Sequence, residues 1–194
     1  MRCRNMNEGT CTHYEANKAK SMQGDQQGFV WSSLLPMLAW STAFYYVYLF
    51  IGYIFHRLVH CPQSGPCYTV HMRHHLQEYP PTALLSDTYR GERHEFHYKI
   101  PLAAIPLFVG WMLFPFPVAI LFTVELSFLS AASQYLHERY HLKDPGWLAT
   151  NPVTRRLFRK WQRQHFTHHR DTTSNLTIGC ADITPDFVFG TAST

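Results

Sequence analysis

The chain alternates between long apolar stretches and polar segments broken by proline and glycine. Residues 1–27 are polar, rich in Asn, Gln, Gly, Lys and Glu, with no apolar period. They read as a flexible leader. No apolar segment follows Arg2 and Arg4 directly, so they do not read as a secretory signal. From Gly28 to Phe55 no residue is charged. A bilayer core of about 30 Å needs roughly 20 helical residues, so this run predicts a transmembrane helix. Pro36 lies near its start, where a kink costs least. Trp31 and the group Tyr45, Tyr46, Tyr48 and Tyr53 suit interface or packing positions. Residues 61–98 are polar and interrupted by Pro62, Gly65, Pro66, Pro80, Pro81 and Gly91. Ile100 to Leu136 is then apolar except for Glu125, and Phe114-Pro115-Phe116-Pro117 breaks it in the middle. Proline interrupts the helix ladder, so the stretch predicts a helical hairpin. Its first arm runs from near His94 to near Leu113, and its second from Val118 into His137. The expected fold is an all-α integral membrane protein, residues 28–194 forming one domain with about three transmembrane helices and a histidine-rich helical cap.

Topology follows from the same pattern. The first span ends at His56, and the hairpin leaves and returns on one side, so the polar segments share a face. Arg57, Arg73, Arg90, Arg93, Arg139, Lys143, Arg155, Arg156, Arg159, Lys160, Arg163 and Arg170 lie on it. Positive charge marks that face as cytosolic. Composition agrees: charged residues are 15% and hydrophobic ones 46%, against about 25% charged in a soluble domain. The net charge of +4 sits beside apolar segments and does not form the basic stripe of a nucleic-acid binder. Cys3, Cys11, Cys61, Cys67 and Cys180 are odd in number and widely spaced and do not read as a disulfide framework. Cys61 and Cys67 flank a Pro-Gln-Ser-Gly-Pro turn at a spacing that is not a common zinc knuckle. Cys180 reads as a small buried filler.

Histidine changes the picture. Ten of the 13 histidines fall in four clusters: His56-Arg-Leu-Val-His60, His71-Met-Arg-His74-His75, His137-Glu-Arg-Tyr-His141 and His165-Phe-Thr-His168-His169. The order is His-x3-His, then His-x2-His-His, and the same again. Residues three and four apart share a helix face, so each cluster can point two or three imidazoles at one place. Imidazole binds iron, zinc and copper at neutral pH without adding negative charge. Ten such ligands are too many for one ion and suit two. The segment at His137 reads as part of this set and not as a zinc-protease helix. His94 and His97 stand three apart at the start of a span as lesser candidates.

The four-cluster order resembles the fatty acid hydroxylase and sterol desaturase superfamily, a group of lipid hydroxylases, sterol desaturases, sterol methyl oxidases and carotenoid hydroxylases. Asn175 after the last cluster and Asp186-Phe-Val-Phe189-Gly190-Thr191 are similar to that group's closing motifs, Asn-Tyr-Gly and Trp-Asp-x-x-Phe-Gly-Thr. The resemblance covers residues 40–191. It implies a membrane-bound, O2-dependent lipid oxygenase, most simply a hydroxylase, with the ten histidines holding two iron ions. Zinc is the alternative metal. A desaturase or carotenoid hydroxylase shares the same site, and a non-catalytic membrane metal-binding protein is the reading from another class. The implied partners are a lipid substrate, the bilayer, and an electron donor such as cytochrome b5 or ferredoxin, with no nucleic acid. The implied membrane is the endoplasmic reticulum in a eukaryote or the inner membrane in a bacterium.

Nearby acids Glu78, Glu138 and Asp171 can fix imidazole tautomers or stand as solvated surface groups. Glu125 is the one ionisable residue within a span, and such groups face a cavity or a partner. It lies about 18 Å along an ideal helix from His137, so it is expected in a substrate channel or at a helix contact. Residues 155–163 combine five basic side chains with Phe158 and Trp161. They suit an interfacial helix on anionic headgroups, an electron-donor docking site or a plain solvated helix.

Overall fold

The structure, a computed structural model, describes residues 35–91, 95–177 and 183–193. The expected leader at 1–27, and Trp31, Arg93, His94 and Cys180, lie outside them. The chain divides into two compact units, residues 1–42 and 43–194. The described part of the first, residues 35–42, is the exposed apolar opening of helix α1 (Leu35–Val59). All that follows concerns the second.

The described residues are helical, with no strand and one isolated bridge between Ser86 and Leu142. After α1 comes a 3-10 turn, Pro62–Ser64, and α2 (Pro66–Arg73), which widens into a π-type turn over His74–Glu78. Helices α3 (Glu95–Leu113) and α4 (Phe116–Tyr140) follow, then a single turn α5 (Trp147–Thr150), α6 (Pro152–Arg170) and a short α7 (Thr184–Val188).

The expected hairpin is α3 and α4. Pro115 at ψ 148° stops the first arm, and Pro117 falls in the first turn of the second, where a missing N–H costs nothing. A Cβ on Gly110 would come within 2.5 Å of the Phe122 ring, so only glycine lets the arms close there. Trp111 Nε1 donates to Thr123 Oγ1 at 3.0 Å across the same contact. Phe44 of α1 joins the pair, its ring 4.7 Å from that of Phe122, in a core with Leu126. One turn further along, Tyr48 donates its hydroxyl proton to Ser133 Oγ at 2.8 Å. That bond answers the polar atom of a buried serine in an otherwise apolar contact.

Two helices, α1 and α4, are long and apolar enough to cross a membrane. The third expected span exists as helix α3, but its described apolar run, Ala104–Leu113, is shorter. Away from the core, apolar side chains stand exposed on all three: Ile54 and Leu58, Phe108 and Met112, Val124 and Phe128.

Helix α6 starts on Asn151, whose side chain accepts from Val153 N, with Pro152 next. This arrangement satisfies one orphan N–H and needs none from proline. The helix buries Phe158 against Tyr140 and Leu148 and leaves Arg155, Arg156, Arg159, Lys160 and Arg163 exposed.

Candidate metal centre

All ten clustered histidines converge, in two sets of five. His56, His60, His71, His75 and His168 form the first; His74, His137, His141, His165 and His169 form the second. Within each set the ring nitrogens lie within 4.8 Å of one another. Helical spacing explains most of the sorting. The pairs 56/60 and 71/75 are four apart and enter the first set together, as 137/141 and 165/169 enter the second. The remaining member of each His-x2-His-His cluster points elsewhere by about one residue's rotation. His74 therefore joins the second set, and His168 joins the first. The sets are neighbours, with the rings of His75 and His169 4.2 Å apart.

Outside each set, hydrogen bonds fix the imidazole tautomers. In the first, His56 Nδ1 donates to Leu176 O at 2.7 Å and His168 Nδ1 to Ser174 O at 2.8 Å. In the second, His141 Nδ1 donates to Leu84 O and His169 Nδ1 to Tyr79 O, both at 3.0 Å. His74 Nδ1 donates to Glu78 Oε2 at 3.2 Å, and His137 Nδ1 lies 3.4 Å from the Tyr89 hydroxyl. A proton on Nδ1 leaves a lone pair on Nε2, and these Nε2 atoms face inward.

Inside, the nitrogens crowd in a way hydrogens cannot satisfy. His71 Nε2 lies 3.1 Å from His56 Nε2, 3.0 Å from His60 Nε2 and 3.1 Å from His75 Nε2. His60 Nε2 is also 3.1 Å from His168 Nε2. His56 and His168 have spent their protons outward. The contact with His56 therefore needs the hydrogen on His71, and the contact with His168 needs it on His60. The contact between His60 and His71 then brings two N–H groups head to head. A cation at the centre satisfies every lone pair at once. In the second set, His169 Nε2 is buried with no hydrogen-bond partner, the same demand in another form.

Spacing carries further information. With metal–nitrogen bonds of about 2.0–2.1 Å, ligands at right angles stand about 3.0 Å apart and tetrahedral ones about 3.4 Å. The close nitrogen pairs here, His141 with His165 included, are 2.9–3.1 Å apart.

Electrostatics keep these imidazoles neutral. Burial, and then the neighbouring imidazoles, push His71 and His165 well below their ordinary value of 6.5. Burial takes His60 and His141 to about 3 and His168 to about 4. All are neutral at pH 7, the form that binds a metal.

Of the nominated acids, only Glu78 meets a cluster histidine by a hydrogen bond. Glu138 accepts from Gln134 Nε2 at 3.0 Å, and Asp171 accepts from Thr173 N and Oγ1. His137-Glu138-Arg139-Tyr140-His141 does spell His-Glu-x-x-His, the zinc-protease helix motif. Its histidines here join three further imidazoles, whereas that chemistry needs an open position on the metal. Glu125 is half-buried on α4, with Oε2 away from solvent and from any protein donor. Cys61 and Cys67 belong to neither set.

Sequence reasoning missed two supporting residues. Tyr79 is fully buried; its ring stacks on His141 at 3.8 Å, and its carbonyl holds His169. Asp186, also fully buried, accepts from Leu176 N at 2.7 Å, Thr177 N at 3.1 Å and Thr191 Oγ1 at 2.7 Å. It thereby fixes the carbonyl to which His56 donates. Both are ordinary residues in the sequence, but Asp186 lies in the closing motif that carried the resemblance. A small open cleft of about 30 Å³ lies beside His165, lined by Tyr140, Trp161, Gln164 and Ile183 among others. No protein-family model, curated protein or solved structure matches the chain.

Proposed function

We propose that the chain is a membrane-bound, O2-dependent lipid oxygenase, most simply a hydroxylase, of the kind found in the fatty acid hydroxylase and sterol desaturase superfamily. The observation that carries this reading is the division of ten buried or half-buried histidines into two adjacent five-imidazole sets. Two iron ions are the metals proposed, one held by His56, His60, His71, His75 and His168 and the other by His74, His137, His141, His165 and His169. Bound there, the pair supplies the redox chemistry needed to activate O2 and oxidise an unactivated C–H bond, which no ordinary side chain can do. Right-angle spacing of nitrogens favours a five- or six-coordinate ion over the four-coordinate tetrahedron of structural zinc.

The protein's own contribution is preparation. Leu176, Ser174, Leu84 and Tyr79 hold four imidazoles through their carbonyls and keep Nε2 free of protons. Tyr79 covers one side of His141 and keeps water off it. The exposed apolar faces of α1, α3 and α4 suit lipid, and on this reading the histidine sets lie at the ends of the spans, with the basic residues of the polar segments favouring the cytosolic side. There α6, exposing five basic residues, suits anionic headgroups or an acidic electron donor. Ligands at the helix ends disfavour metal transport, which needs them near the bilayer midplane.

The test is metal content by elemental analysis of the detergent-purified chain, followed by a search for hydroxylated lipid in cells expressing it. The expected result is close to two irons per chain and a product absent from cells expressing His71→Ala, His168→Ala. Folded protein that holds no metal would sink the reading. Two zincs with no lipid product would leave a metal-binding protein without this chemistry.

A further inference from the structure

The two sets differ in how their ligands are supported, and the difference bears on how tightly each holds its ion. Four of five histidines in the second set meet a partner through Nδ1: Glu78 for His74, Leu84 for His141, Tyr79 for His169 and the Tyr89 hydroxyl for His137. In the first set the corresponding partners serve His56 and His168. His60 Nδ1 and His75 Nδ1 are buried with no protein partner. Binding a metal through Nε2 places the ring hydrogen on Nδ1. In His60 and His75 that hydrogen is shut away without an acceptor, which costs free energy. In His74, His141 and His169 of the second set it is donated to a carboxylate or carbonyl oxygen, which also raises ligand basicity.

Charge acts in the same direction. Ten neutral imidazoles offer no compensation for a divalent cation. Glu78 is the carboxylate hydrogen-bonded to a ligand among the described residues, and its side chain is only 12% exposed. Asp171 also acts on His168 through space, but it is almost fully open to solvent, and water screens it. Its hydrogen bonds go to Thr173. The anionic support of the centre therefore sits mainly behind the second set.

We propose that the two sites are unequal: the set of His74, His137, His141, His165 and His169 holds its ion tightly, and the set of His56, His60, His71, His75 and His168 holds an exchangeable one, with Glu78 as the positioning residue that sets the interval. The proposal rests on the metal-centre reading above.

A graded chelator challenge of the metal-loaded, detergent-purified chain tests it, with retained ions counted by elemental analysis. The expected result is two steps, one ion leaving at about 10–100-fold lower chelator strength than the other, the scale of an outer partner's effect on affinity. His60→Ala keeps the tightly held ion, and His137→Ala loses it. Glu78→Gln, nearly the same shape and checked for native helicity and elution volume, narrows the interval by at least about tenfold. Tyr89→Phe, which removes one hydroxyl at the site's edge, narrows it less. Both ions leaving together from the wild type would overturn the proposal, as would a tight ion that survives His137→Ala and not His60→Ala. A wild type that takes up no ion at all would instead defeat the metal-centre reading itself.

Discussion

The two halves of the histidine-bearing chain, α1 with α2 and its π-type turn, and α4 with α6, carry the same order of motifs and use it in the same way. Each half builds four-fifths of one set from two pairs at helical spacing and lends one histidine to the other. His74 crosses in one direction and His168 in the other. Neither half can complete a site alone, so the adjacent pairs His74-His75 and His168-His169 tie the halves together through whatever the sets bind. The supports are where the halves part. The first set leans on the segment after α6, with Leu176 fixed by Asp186. The second leans on the last residue of the π-type turn, Glu78, and on the loop after it, with Tyr79 and Leu84.

The crossing gives the largest expected effect. On the proposed function, His71→Ala with His168→Ala removes two ligands of the first set and one ion, leaving the other bound. His137→Ala with His165→Ala does the reverse. His74→Ala with His168→Ala removes one ligand from each, and both ions weaken together. Elemental analysis of the three purified variants separates these patterns. If the crossing pair spares one ion completely, the exchange between halves is wrong.

Asp186→Ala comes next, and it acts on one half. Its carboxylate answers two backbone N–H groups and one hydroxyl in a fully buried position. Leaving them unpaired costs on the order of 3 kcal/mol, read as a lowered thermal midpoint. The first set, through Leu176 and His56, should lose its ion more readily while the second is unchanged. An equal loss from both sets would show that the C-terminal segment supports the whole centre.

How much of this was legible beforehand divides along the same lines. Periodicity and charge were enough for α1 and the α3–α4 hairpin, because long uncharged runs and a Pro-x-Pro break leave few alternatives. The four clusters named all ten histidines for the same reason, since spacings of three and four are local. What spacing cannot give is the partner across space. The sorting of His74 and His168 depends on how α2 and α6 are rotated against one another, and the roles of Tyr79 and Asp186 depend on contacts across 62 and 10 residues, His141 and Leu176 respectively. The π-type turn was invisible too: nothing in His-His-Leu-Gln-Glu marks a five-residue hydrogen bond from Tyr79 N to His74 O.

Acidification treats the halves more evenly. Burial holds His168 at about 4 and His60 and His141 at about 3 in the folded protein, against 6.5 when exposed. Above pH 6.5 both folded and unfolded forms are neutral and stability does not change with pH. Below it the unfolded chain binds protons first, so stability falls with pH until the folded values are passed. Thermal midpoints of chelator-treated protein should be flat from pH 8 to about 6.5 and then decline steadily towards about 4. A midpoint that rises on acidification would mean the imidazoles are less buried than the structure has them.

The smallest effect belongs to the hydroxyl of Tyr79. Tyr79→Phe keeps the ring on His141 and the backbone carbonyl on His169, and removes only the oxygen that takes the Arg90 N–H and meets Ser86 Oγ at 3.4 Å. Ser86 spends its own hydrogen on Thr88 O at 2.6 Å, so the tyrosine donates to it. Losing these bonds costs about 1 kcal/mol and loosens the loop over residues 79–90, with metal retention close to wild type. Tyr79→Leu removes the stacked ring as well and exposes His141 to water, so it should weaken the second set and spare the first. The contrast between the two variants isolates the ring from the hydroxyl. Equal effects would mean that Tyr79 supports the second set by anchoring the loop, and that its contact with His141 contributes little.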